Sequence, residues 1–189
     1  MSSRNILIVI SGPSGVGKGT IVNRLKEDDK NIVISVSCTT RSPRAGEKDG
    51  VSYFFVKKER FLQMIEKDEL LEYSAHFENY YGTPRKFVED TLKTRDVLLE
   101  IDVDGAINVK KAHPEAVLIM LLPPDEKELE RRLRGRGTET EEEISRRVSR
   151  MKYEISLAGE YDYTVVNDDL EAAVKAVKDI IRKEKEIIK

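Results

Sequence analysis

Apolar residues in this chain gather into short unbroken runs. Asn5–Ser11, Ile32–Val36, Val97–Ile101, Val117–Leu122 and Tyr163–Val166 are continuous rather than alternating. A strand without a polar face is covered on both sides, which is the condition of strands in a parallel sheet. Between the runs lie stretches with helical patterning, the first from about Lys18 to Asp28. Helix starts are marked by Asp125 with Glu128, Thr140 with Glu143 and Asp168 with Glu171, each a capping pattern. Thr83-Pro84 would set proline at a first helical position. Strand and helix in alternation predict an α/β fold with a parallel sheet flanked by helices.

One region breaks the alternation. Arg41–Tyr53 is rich in turn residues and is followed by a short strand at Tyr53–Val56, a helix around Glu59–Glu66 and a strand-like Leu71–Phe77. This predicts a small mixed α/β insertion over about 36–84, set into a core formed by 1–35 and 85–189. A second irregular stretch, Gly135–Thr140, joins two charged helices, and a helical lid is expected over about 130–155. There is no internal repeat, and 189 residues fit a single domain.

Composition narrows the function classes. Lys and Arg number 33 against 35 Asp and Glu, a net charge of -2, without the basic excess of a nucleic-acid binder. No apolar run approaches the roughly 20 residues of a membrane span. The N-terminus lacks a secretory pattern, and the single Cys38 has no internal disulfide partner. A reducing, cytoplasmic setting is expected, with no nucleic acid polymer and no membrane among the partners. Charged residues make up 36%, Trp is absent and Gln63 is the one glutamine, a composition that leans toward thermophiles. His76 and His113 stand far apart in sequence, and no Cys/His cluster suggests zinc.

Chemistry enters at Gly12-Pro13-Ser14-Gly15-Val16-Gly17-Lys18-Gly19-Thr20, which follows the first strand and opens the first helix. This is most of a P-loop. Glycines let backbone N–H groups wrap a phosphate, the helix N-terminus adds partial positive charge, and Lys18 reaches the β and γ phosphates. The pattern departs from the usual one in a single place. Gly19 follows Lys18 and the hydroxyl comes one residue later, on Thr20, so Mg²⁺ would be held mainly by ATP phosphates and water, with its protein ligands undetermined.

A P-loop alone does not choose among a GTPase, an ATP-driven machine and a small-molecule kinase. In the insertion, Arg41 and Arg44 flank Pro43, and guanidinium forks suit phosphate oxygens. A solvated basic loop is the ordinary alternative. Taken together, SVSCTTRSPRAGE, DGVSYFFV, LLEYSAHFENYYGTP, LEIDVDG, RLRGRGTETEE and VNDD follow the P-loop in an order that resembles the guanylate kinase family. The resemblance covers about residues 5–185. It implies a P-loop kinase core that uses ATP with Mg²⁺ to phosphorylate GMP, and dGMP beside it, to the diphosphate. The residue roles that follow are implied by the resemblance. Arg41, Arg44, Tyr53 and Tyr81 would hold the GMP phosphate, and Ser37, Glu72, Thr83 and Asp102 would read guanine. Lys18, Arg41, Arg132, Arg136 and Arg147 would act on the transferring group, and Asn167 and Asp168 would lie near the adenine. Glu100 departs from the family, which often has Asp there. The oligomeric state is left open.

Elementary chemistry agrees on the base. Guanine offers N1–H and an exocyclic amine as adjacent donors, which a carboxylate such as Glu72 accepts, whereas adenine presents a lone pair at N1. Arg131, Arg132, Arg134, Arg136, Arg146, Arg147 and Arg150 flank the lid, and most of them are expected to be helix-surface partners of nearby glutamates, with about a third or fewer touching substrate. Exclusion of water during transfer requires insertion and lid to close. Two rivals remain at this stage. One is a binding module with a guanylate-kinase-like fold, argued against by the intact Lys18 loop. The other is a P-loop kinase for another small molecule, argued against by Ser37, Glu72 and Thr83.

Overall fold

The structure is a computed structural model that describes residues 4–76, 78–125, 127, 130–131 and 140–187. Five strands form one parallel sheet in the order β2-β7-β1-β8-β9, with β1 Leu7–Ser11, β2 Ile32–Ile34, β7 Asp96–Glu100, β8 Val117–Leu122 and β9 Tyr163–Val166. Along β1, Ile8 and Ile10 face α1 (Lys18–Asp28) and the C-terminal helix α6 (Leu170–Ile187), while Leu7 and Val9 face α4 (Val103–Ala112). Every β1 residue is buried, which is why the run reads as continuous apolar sequence. None of the described helices is long and apolar enough to cross a membrane.

The turn-rich region carries its own four-stranded mixed sheet in the order β4-β3-β6-β5. Its strands are β3 Cys38–Thr39, β4 Phe54–Phe55, β5 Leu70–His76 and β6 Asn79–Pro84, with α2 Lys58–Glu66 packed on it. β3 runs parallel to β4 and antiparallel to β6. The buried cluster here is small: Cys38, Phe61, Met64 and Leu70. Leu71, beside them on β5, instead joins the main core with Val88 of α3 (Arg85–Leu92) and Val103 of α4. A register shift in the β5–β6 pairing between Leu70 and Glu72 accompanies this turn of β5 from the small cluster to the large one.

Helix ends differ in detail from expectation. Pro84 is the residue before α3, not its first helical residue. At α6 the cap is Asp169, whose Oδ1 accepts from the Ala172 N–H at 2.8 Å, rather than Asp168. The bond that decides is the side-chain reach to the third residue on, and two adjacent aspartates made the sequence ambiguous. α5 (Glu141–Ser156) begins directly after Thr140, as its pattern indicated. Glu128 lies outside the described residues, as does most of Gly135–Thr140.

Candidate active site

The phosphate loop spans from the end of β1 to the start of α1, at the C-terminal edge of the parallel sheet. Gly17 is the N-cap of α1 with φ 100° and ψ 18°. An L side chain rarely adopts that conformation, and a Cβ there would stand 2.5 Å from Nδ2 of Asn167. Asn167 Nδ2 donates to the Val16 carbonyl at 2.7 Å, so β9's following residue clamps the loop from beneath. Asn167 is buried. Its amide is bonded to the loop, and Asp168 beside it is exposed.

Lys18 Nζ donates to the carbonyls of Gly12 at 2.6 Å and Pro13 at 3.2 Å. Burial lowers its pKa, and the nearby carboxylates of Glu100, Glu154 and Asp102 oppose that shift. Glu100 ends β7 within 3.7 Å of where a Gly19 Cβ would be. Its carboxyl is shifted upward by desolvation and held down by Lys18. Thr20 is exposed on the first turn of α1. Glu100 and Thr20 are hard oxygen donors suited to Mg²⁺. Among the described residues, no three His, Cys, Asp or Glu side chains gather as a metal cage. Arg147 on α5 reaches across to the loop, donating from Nη2 to Ser14 Oγ at 2.7 Å.

On the insertion side, Glu72 is the most unusual group. It sits 5% exposed on β5, paired in register with Thr83 of β6. Thr83 Oγ1 donates to Glu72 Oε1 at 2.6 Å. A Cβ on Gly105 would lie 2.6 Å from Glu72 Oε2, so α4 approaches this carboxylate only because that helix has a glycine there. Burial, with Asp102 adding repulsion, pushes Glu72 up to about 7 in spite of Thr83. Asp102 is the N-cap of α4, its Oδ1 accepting from the Gly105 N–H at 2.9 Å, and its Oδ2 accepts from Ser74 Oγ at 2.5 Å. Thr83 is fully buried with its hydroxyl on Glu72, so it acts here as the holder of the carboxylate. Ser37, at the start of β3, is half-buried, and its carbonyl accepts from the Phe54 N–H.

The arginine cluster is organised by Glu47. Arg41 gives both guanidinium nitrogens to it, Nη1 to Oε2 at 3.0 Å and Nη2 to Oε1 at 2.8 Å. The Arg44 N–H donates to the same carboxylate at 2.7 Å. These bonds hold the Glu47 carboxyl down at about 2. Arg41 also lies over the Tyr53 ring, 5.5 Å from its centroid, and interacts with the Tyr81 hydroxyl. Tyr53 and Tyr81 meet edge to face at 6.1 Å. Tyr53 is also within reach of the Glu100 field, so this cluster looks toward the Lys18 loop.

Among the described residues, Arg147 meets the Lys18 loop, Thr83 meets Glu72, and Arg41 meets Tyr53 and Tyr81. Arg132 and Arg136 lie outside the described residues. Sequence reasoning passed over Ser74 and Glu47. Ser74 was legible, since it lies two residues beyond Glu72 on one strand and therefore on the same face. Glu47 carried no such signal, because its contact with Arg41 depends on how the loop folds back. Cys38 is a buried thiol raised to about 11 by desolvation, in keeping with a passive role.

Comparison with known proteins places this geometry. The guanylate kinase family model matches residues 4–184. A guanylate kinase of Halalkalibacterium halodurans is 51% identical over 182 residues, 96% of this chain and 89% of the relative. The crystal structure of guanylate kinase from Anaplasma phagocytophilum superposes with a TM-score of 0.82 at 37% identity, covering 97% of this chain and 88% of that one. A shikimate kinase structure from Bacteroides thetaiotaomicron reaches a TM-score of 0.53 at 16% identity over 94% and 98% of the two chains, a likeness of fold alone. The chain is therefore a member of the guanylate kinase family, whose reaction is ATP-dependent phosphorylation of GMP to GDP.

Proposed function

We propose that Glu72 selects guanine, that the Arg41 cluster holds the GMP phosphate, and that Lys18 with the lid arginines neutralises the phosphoryl group in flight. The observation that carries this reading is the ionisable carboxyl of Glu72, buried on β5, braced by Thr83 and close against Gly105 of α4. As a carboxylate it accepts from guanine N1–H and the exocyclic amine. Ser37 and Asp102 complete the base pocket, with Ser74 holding Asp102. Arg41, Arg44, Tyr53 and Tyr81 bind the acceptor phosphate. A phosphate arriving at Arg41 shares or displaces Glu47, whose bidentate grip keeps the guanidinium oriented beforehand.

Transfer is in line. An oxygen of the GMP phosphate bonds to the γ-phosphorus as the bond from that phosphorus to the bridging oxygen of ADP breaks. Gly12, Pro13, Ser14, Gly15, Val16, Gly17, Gly19 and Thr20 cradle the ATP phosphates, with Asn167 fixing the loop. Lys18 leaves its loop carbonyls to meet the growing negative charge, joined by Arg147 from α5 and by Arg132 and Arg136. Mg²⁺ bound with ATP would be met by Glu100 and Thr20, supplying further charge neutralisation. Asp168 lies beside the adenine. Residues about 36–84 and the lid about 130–155 move as units that close over the substrates, dGMP is accepted beside GMP, and the protein works in the cytoplasm.

The test is a coupled ATP assay with GMP, dGMP, AMP, CMP and UMP as acceptors. The reading predicts turnover with GMP and dGMP and little with the rest. Equal rates with AMP would remove Glu72 from its role.

A further inference from the structure

Helix α5, Glu141–Ser156, carries a stripe of three charged residues at i, i+3 and i+7: Arg147, Arg150 and Glu154. Arg147 meets Ser14 of the phosphate loop. Glu154 is buried and its charge is felt at Lys18. Between them, Arg150 points to a different element. Its Nη2 donates to Asp104 Oδ2 at 2.6 Å and its Nε to Glu154 Oε1 at 3.0 Å. Asp104 lies in the first turn of α4, two residues beyond the cap Asp102. Its other oxygen, Oδ1, accepts from Tyr153 Oη at 3.1 Å, and the Arg150 guanidinium lies 4.9 Å from the centre of the Tyr153 ring. Both carboxylate oxygens of Asp104 are therefore bonded to α5.

An acid in the first turn of α4 suits the helix dipole. That explains an acidic residue there, but not both of its oxygens turned onto another helix. As a stability element the pair is weak, because Asp104 and Arg150 are each about one-third exposed (34% and 32%). As an orienting element it is strong. A forked guanidinium tied at two nitrogens, with a tyrosine on the same carboxylate, fixes the rotation of α5 about its own axis. One turn away, that rotation decides where Arg147 points.

We propose that Asp104 and Arg150 are positioning residues for phosphoryl transfer, which hold α5 on α4 so that Arg147 is presented to the phosphate loop without themselves touching substrate. The inference rests on the role given above to Arg147. It also assigns α4 two tasks in one turn: Asp102 toward the base pocket and Asp104 toward the lid helix.

The experiment is steady-state kinetics on Arg147→Ala, Asp104→Asn, Arg150→Lys and the double variant Arg147→Ala/Asp104→Asn, with melting temperatures recorded beside them. Asp104→Asn and Arg150→Lys should each lower kcat about tenfold, since misplacing a transition-state group by a fraction of an ångström is expensive in rate. The KM for GMP should stay within about twofold, and Asp104→Glu should recover part of the loss. The double variant should be no slower than Arg147→Ala alone, because a positioning residue has nothing left to position. Losses that multiply in the double variant would overturn the proposal, as would unchanged kcat in the two singles or a KM for GMP that rises in step with the loss. Unchanged kcat in Arg147→Ala would instead overturn the reading of Arg147, and the two failures are told apart by that single variant.

Discussion

The two halves of this site bind phosphate and base by opposite means. The phosphate loop is built of backbone, pinned by Asn167 and seated on a sheet with buried faces on both sides. The insertion, in the proposed reading, recognises its ligand with side chains, Glu72 and Arg41 foremost, and its described residues form a small cluster of four buried ones. A site made of main chain tolerates few changes but needs little support. A site made of charged side chains must be held by other side chains, which is why Thr83 bonds to Glu72, Ser74 to Asp102 and Glu47 to Arg41.

Lys18→Met sets the upper end of the contrast. It should lower kcat by about 10³-fold or more, since the ammonium meets charge that develops in transfer. Circular dichroism and melting temperature should stay near wild type, because among the described residues Lys18 hydrogen-bonds to loop carbonyls alone. A variant with wild-type kcat would show that the loop binds without catalysing.

Phe61→Ala attacks the small core. Phe61 is fully buried, stacked on Tyr80 at 5.5 Å, and its loss should remove about 3–5 kcal/mol from the insertion. Hydrogen exchange should accelerate in β3–β6 and leave β1, β7 and β8 protected, with the KM for GMP rising far more than that for ATP. Uniform acceleration would mean that the two sheets unfold as one unit.

Arg41→Ala and Arg44→Ala should raise the KM for GMP by about tenfold each, with little change for ATP, the loss of a charge-assisted bond to phosphate. Equal effects on both substrates would dissolve the division of labour between insertion and loop.

The smallest effect is in pH. Glu72 is held at about 7 in the folded protein against an ordinary 4.5. Between those values the native state keeps a proton that the unfolded chain has lost. Stability without ligand therefore falls as pH rises through that window, by about 3 kcal/mol in all. GMP needs the ionised form, so its KM should fall several-fold as pH rises through about 7. In Glu72→Gln the Glu72 contribution to both slopes should vanish, while the titration of the GMP phosphate, common to both proteins, cancels in the comparison. A profile shared by wild type and variant would remove Glu72 as its source.

Much of this was open to inspection in the residues themselves. β1, β8, β9 and α1 follow from apolar runs and a glycine-rich turn, and α1 begins and ends where its pattern indicated. The mixed sheet of the insertion was legible as a break in rhythm. The contacts that hold its side chains were not, because Arg41 and Glu72 are 31 positions apart and the β3–β6 pairing that brings their segments into one sheet is long-range. Thr83 reads as a ligand contact in sequence and becomes a brace only when β5–β6 register sets it across from Glu72. Asn167 likewise sits in a loop by sequence, and only the crossover from β9 brings it to Val16.

The account turns on base selection by one buried carboxylate, and the ratio of kcat/KM for GMP to that for AMP measures it. Glu72→Gln keeps the shape and replaces one acceptor with a donor. GMP efficiency should fall about 10²-fold, the loss of a charge-assisted pair in a desolvated pocket, while AMP, offering a lone pair at N1, should lose little or gain slightly. The ratio should therefore collapse by about that factor or more. A ratio equal to that of the wild type would contradict the account, leaving guanine to be read by some group other than Glu72.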